Sequence, residues 1–225
     1  TVQHMLAGIL KSQGDWTAFE ALLNTNDNLS ALSKQDKENL RSTLQCEHLL
    51  KSKNPQVIWP KLKRAQKRNR GIKKAYASSL INSGFHDTAE KFLRKHITHH
   101  WDRDLVRLYG HALSSDLDFQ IVQVEKWKDY HSNSPELMIT TARLYIQGRQ
   151  KDKARDCLVE SMSIVESHKD HLEIGLLMES IGESNRALQS YRRGLQSSDP
   201  VDYRDQLLDR PTSVTGLIPV IDKDR

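Results

Sequence analysis

Small and apolar residues recur along this chain with a helical period, and in its second half the pattern itself returns about every 33 residues. The clearest copy runs from Pro135 to Ser163, PELMITTARLYIQGRQKDKARDCLVESMS. Ala142 and Tyr145 share one face there, and Ala154 and Leu158 mark the face of a following helix. A second copy, HLEIGLLMESIGESNRALQSYRRGL, places Gly175, Met178, Gly182, Ala187 and Tyr191 in the matching positions. An earlier copy, KKAYASSLINSGFHDTAEKFLRKHI, places Ala77, Leu80, Gly84, Ala89 and Leu93. Small residues are needed where paired helices cross closely, because a packed interior tolerates little added volume. Gly84, Gly148 and Gly182 fall where the first helix of each pair must stop, which suits a left-handed cap. No run of alternating β-branched residues suggests a strand.

This is the spacing of the tetratricopeptide (TPR) pattern, two antiparallel helices per unit of about 34 residues. It predicts an all-α fold, a TPR-like right-handed solenoid of antiparallel helix pairs with a concave binding surface. Residues 1–196 are expected to form the repeat domain, degenerate over 1–68 and clearer over 69–196. Residues 197–225, broken by Pro200, Pro211 and Pro219, are expected to be an extended, partly mobile tail.

Val2 to Thr25 reads as a helical pair, with Ala7, Leu10 and Gly14 on the first helix and Trp16, Phe19, Leu22 and Leu23 on the second. Ser33 is placed to cap a helix from Lys34 to Lys51 with Leu40, Leu44, Leu49 and Leu50 as its stripe. Its partner is expected over Pro55–Lys67. Further pairs are expected over Asn69–Asn82 with Asp87–His96, and over Asp102–Leu113 with Asp118–His131, the last joined by a short link.

Charge is unevenly placed. The chain carries a net charge of +5, yet the 39 residues from His48 to His86 hold ten Lys or Arg and no Asp or Glu. Lys61, Lys63, Arg64, Lys67, Arg68 and Arg70 form its centre. A solvated helix end is one reading; an acidic partner, an anionic membrane surface or RNA are the others. RNA fits least well, because no aromatic stacking platform accompanies the cations. No DNA-reading motif is present.

Positions flanking the small residue of each first helix should face the concave groove. Counting from Ala77, Gly110 and Ala142 gives Lys74, Ser78 and Ile81, then Arg107, His111 and Ser114, then Ile139, Arg143 and Ile146. Lys74, Arg107, His111 and Arg143 would hold an acidic or C-terminal peptide by charge-assisted hydrogen bonds. Protein partners are therefore expected.

Catalytic chemistry is not signalled. There is no Gly-rich phosphate loop, no His-Glu-x-x-His and no Cys-x-x-Cys, so an enzyme is not expected and neither is a bound metal. Cys46 and Cys157 sit in apolar helical patterns far apart, which argues against a disulfide and for a reducing compartment. His96, His99 and His100 form the one histidine group; His96 and His100 would share a face if the helix continued. No apolar run approaches the roughly 20 residues that span a bilayer. The start at Thr1 is compatible with a longer parent chain carrying an N-terminal anchor.

Beyond the repeat, Trp59 to Leu195 resembles the C-terminal part of the HemY family. The pieces that carry it are PKLKRAQKRNRGIKKAYASSLINSG, HDTAEKFLRKHI, WDRDLVRLYGHAL, VEKWKDYHSNSPELMITTARLYI, KARDCLVESM and ALQSYRRGL. The segments Asp104–Gly110 and Glu125–Trp127 lie outside the TPR consensus. The resemblance implies a bacterial inner-membrane protein whose anchor is absent here, associated with late haem and porphyrin biosynthesis. It implies a non-enzymatic scaffold or regulator that binds haem-pathway enzymes, with no cofactor. The alternatives are a haem or porphyrin carrier using His96, His99 and His100, or a basic adaptor for anionic surfaces or RNA. The cysteines and the basic stretch favour the cytoplasmic side.

Overall fold

The computed structural model describes residues 33–196 continuously, together with residues 5, 6, 8–10, 18 and 21. The expected pair over Val2–Thr25, apart from those scattered positions, and the expected tail over 197–225 lie outside the described residues. The described residues are helical with no strand among them, and they fall into two compact units that divide at Ser132 and Asn133.

In the first unit the continuously described residues begin with α1 (Lys34–Lys51), whose bounds match the sequence reading. Ser33 caps it, accepting from the Asp36 amide at 3.1 Å. Pro55 starts α2 (Pro55–Ile58), which passes into a single 3-10 turn over Trp59–Lys61. The expected helix over Pro55–Lys67 is therefore interrupted. Pro60 has no amide hydrogen, and its ring crowds the carbonyl four residues back, so the helix cannot pass through it. Leu62 is extended and buried, and a separate α3 (Arg64–Arg68) follows.

Asn69 then caps α4 (Arg70–Asn82), accepting from the Ile72 amide at 3.2 Å. α5 (His86–His99) turns back against it. α6 (Arg103–Tyr109), capped by Asp102, and α7 (Leu117–Lys128), capped by Asp116, complete the unit. Pairs of contacts set the order of helices. Asn69 reaches Ser42 and the Ser79 hydroxyl reaches the Leu49 carbonyl at 2.5 Å, so α4 runs parallel to α1. Gln56 reaches Thr88 and Trp59 meets Phe92, so α5 runs parallel to α2. Arg70 bridges Asp102 at 2.8 Å and Asp104 at 3.2 Å, joining the starts of α4 and α6. Arg94 of α5 lies over the Phe119 ring of α7. First helices thus form one layer (α1, α4, α6) and second helices another (α2, α5, α7), the arrangement that stacked helical pairs require.

Among the described residues the second unit holds two hairpins: α8 (Pro135–Gln147) with α9 (Lys151–Met162), and α10 (His168–Ser180) with α11 (Ser184–Gln196). Ser134 caps α8, with Pro135 at its first position. Small residues stand at the crossings in both units. Ala77, Ala89, Ala142 and Ala154 are fully buried, and Ala187 almost so. At Gly175 even a single added carbon would clash with the ring of Tyr191. Leu80, Tyr145 and Met178 are buried beside these positions, as the repeat spacing requires.

The turns depart from the sequence reading at one place. Gly84 and Gly182 adopt left-handed φ of 80° and 91°. Gly148 does not; its φ is −77°, and Arg149 takes the left-handed position at φ 58°. The hydrogen bonds agree, since Phe85 to Leu80 in one turn corresponds to Gln150 to Tyr145 in the other. The α8 cap sits one residue later than its glycine suggests.

Candidate binding surface

Lys74 lies exposed on α4 and Arg107 lies half-buried on α6, both in the first-helix layer of the first unit. The count from Gly110 fails beyond Arg107. Gly110 is the cap of a seven-residue helix, so His111 and Ser114 follow it in a loop and do not lie on its face. That loop is pinned from α5. Asp87 accepts from the Ser115 amide at 2.8 Å, the Ser115 hydroxyl at 2.9 Å and the Ser114 hydroxyl at 3.1 Å. These hydrogen bonds, the Ser115 amide foremost, hold the Asp87 carboxyl below its ordinary range. The Leu113 amide donates to the His86 ring at 3.2 Å.

In the second unit Ile139 is fully buried and belongs to the core, not to a groove. Arg143 is engaged within the chain, bonding Glu173 of α10 at 2.6 Å with both side chains largely covered. Its role is to join α8 to α10.

The six central cations divide in the same way. Lys61, Lys63, Arg64 and Arg68 are exposed, and no carboxylate among the described residues pairs with them. Lys67 is half-buried, its ammonium donating to the Pro60 carbonyl at 3.1 Å. Arg70 is engaged with Asp102 and Asp104.

The histidine group does not converge. α5 ends at His99, and His100 is extended, so His96 and His100 do not share a helical face. His99 contacts its own helix through the Lys95 carbonyl at 2.7 Å. His96 packs its ring on Phe92, with centroids 4.4 Å apart. Burial, with Lys73, Lys95 and His99 nearby, pushes its pKa down to about 4. Among the described residues no group of three His, Cys, Asp or Glu side chains is placed to hold a metal.

Two clusters escaped the sequence reading. One is aromatic. Trp59 stacks on Tyr76 with centroids at 4.4 Å, and Phe92 meets both rings edge-on at 5.0 and 4.9 Å. Trp59 and Phe92 stand one repeat apart on neighbouring second helices, which is the signal that could have paired them. The other is polar. Buried Glu90 accepts from the Tyr109 hydroxyl at 2.9 Å and from Arg94 at 2.8 Å. Burial first, and Glu90 second, push the Tyr109 hydroxyl up. Gln120 donates to the Tyr109 and Ala112 carbonyls, both at 2.8 Å, closing the short loop after α6. Cys46 and Cys157 are both free thiols.

No protein-family profile matches the sequence, and no curated protein does. The structure is similar to the crystal structure of a thermophilic TPR protein from Thermus thermophilus. The TM-score is 0.50 at 13% identity, covering 84% of this chain and 96% of that one. At that identity the likeness establishes the fold, which is all-α and TPR-like.

Proposed function

We propose that the chain is a protein-binding scaffold that recognises an acidic segment on the first-helix layer of its first unit. The observation that carries this is the stacking of helical pairs that places Lys74 and Arg107 on neighbouring helices of one layer. Such a layer offers side chains at regular spacing to an extended ligand. Arg143 lies in the second unit, where it joins α8 to α10 through Glu173.

The resemblance to the HemY family supports a narrower reading, in which the partners are enzymes of haem and porphyrin synthesis at a membrane. That reading rests on the quoted segments alone. No described helix is long and apolar enough to cross a membrane.

The test replaces Lys74 or Arg107 with a photo-crosslinking residue in the full-length protein. Illumination in a membrane extract, followed by mass spectrometry, should recover the same partner from both positions, joined through an acidic peptide. Haem-pathway enzymes among the products would support the narrower reading. Crosslinks that differ between the two positions, or arise only at non-acidic segments, would contradict the proposal.

A further inference from the structure

The second-helix layer of the first unit contains a notch. Gln56 lies opposite Thr88 and Trp59 opposite Phe92, so α2 and α5 start in step. Pro60 then ends the α2 side at Lys61, while α5 runs on to His99. The last turn of α5, carrying Lys95, His96 and His99, extends past the end of its neighbour. The chain continues through extended, buried Leu62 into α3, and Lys67 ties α3 to the Pro60 carbonyl.

Two kinds of group meet there. One is the set of cations on the turn and α3, with Lys61, Lys63, Arg64 and Arg68 exposed and without carboxylate partners among the described residues. Lys73 of α4 and Lys95 of α5 add charge close to His96. The other is the aromatic cluster. Tyr76 is buried, but Trp59, Phe92 and His96 each keep part of their surface exposed. The sequence separates these rings along the chain; the fold joins them beside Lys73 and Lys95, and Lys67 of α3 reaches the Pro60 carbonyl next to Trp59.

We propose that this notch binds single-stranded RNA, with the cations on the phosphates and a base against the exposed edge of the Trp59, Phe92 and His96 cluster. Non-specific single-strand sites combine a positive track with aromatic rings; here exposed cations and partly exposed rings stand on adjoining segments. A lipid headgroup layer would engage the exposed Lys61, Lys63 and Arg64 and make no use of the half-buried rings. An acidic peptide would use the cations and leave the rings idle. This surface centres on α2, α3 and the end of α5, with Lys73 of α4 at its edge, and it uses neither Lys74 nor Arg107.

The test is fluorescence anisotropy with a labelled oligouridine of about a dozen nucleotides, the length range of single-strand sites. Binding should weaken steeply with salt; with roughly four phosphates neutralised, log affinity against log salt should slope near −3. Replacing Lys61, Lys63, Arg64 and Arg68 with Gln should reduce affinity about tenfold or more and flatten that slope, since each lost phosphate contact removes about 0.7 from it. His96→Ala should weaken binding without changing the slope, because it removes ring contact and not charge at neutral pH. Vesicles of phosphatidylglycerol and phosphatidylcholine, and a polyglutamate peptide, serve as competitors and should displace the RNA poorly. Absence of binding at low salt would overturn the proposal. So would unchanged affinity in the four-residue variant, an unchanged affinity in His96→Ala, or tighter binding of the vesicles or the peptide than of the RNA.

Discussion

Arg149 shows how a single residue can hide a repeat boundary. A left-handed backbone costs an L-residue with a side chain about 1–2 kcal/mol, while glycine loses about 0.5–1 kcal/mol of chain entropy elsewhere in the balance. Arg149→Gly should therefore stabilise the second unit by about 0.5–1 kcal/mol, read as a higher midpoint in denaturant. A lower midpoint would show that the Arg149 side chain matters more than its backbone. His96 gives a second expectation. Its ordinary pKa of 6.5 falls to about 4 in the fold, so the folded state favours the neutral ring. The stability this contributes is fully present above pH 6.5 and is lost as pH falls through the window toward 4. Comparing thermal midpoints of wild type and His96→Gln at pH 7 and pH 5 should show a smaller acid loss in the variant. Equal losses would mean that other groups govern the acid side.

At the scale of helices, what the sequence made legible followed from repetition. α8, α9 and α11 carry recurring small and apolar positions, and their placement agrees with that pattern; α1 was legible from the Ser33 cap and its leucine stripe. The crossings supply a direct check. Ala154 is fully buried where α9 meets α8, so Ala154→Leu should overpack the hairpin and destabilise it by about 1–3 kcal/mol in a thermal or denaturant melt. An unchanged melt would place the crossing elsewhere. The helices that differ from their expected bounds lack such support. A proline is tolerable within a first turn, but Pro55 already takes that position, leaving Pro60 inside the helix. The helix expected over Asp102–Leu113 stops at Tyr109 because Asp87, His86 and Gln120 bind the following loop from neighbouring helices. Those hydrogen bonds join residues distant along the chain, and local periodicity carries no trace of them.

At the scale of the whole chain, the fold class was legible because stacked pairs impose their spacing on every copy. The candidate surface was only partly so. Composition located the cations, but it could not show that Arg70 and Arg143 are engaged within the chain while Lys74, Lys63 and Arg64 are exposed. Nor could it show that Ile139 faces inward, since its position beside Ala142 on a helix wheel suits a groove as well as a core. The central claim is that the first-helix layer, not charge in general, captures a protein partner. The most direct measurement compares two charge-matched double variants of the full-length protein in quantitative partner capture. Lys74→Ala with Arg107→Ala alters the first-helix layer; Lys91→Ala with Lys126→Ala removes two exposed cations from the second-helix layer. With both variants melting as the wild type does, the first should lose most of the captured partner and the second should retain it. Equal retention by both, or loss only in the second, would contradict the account.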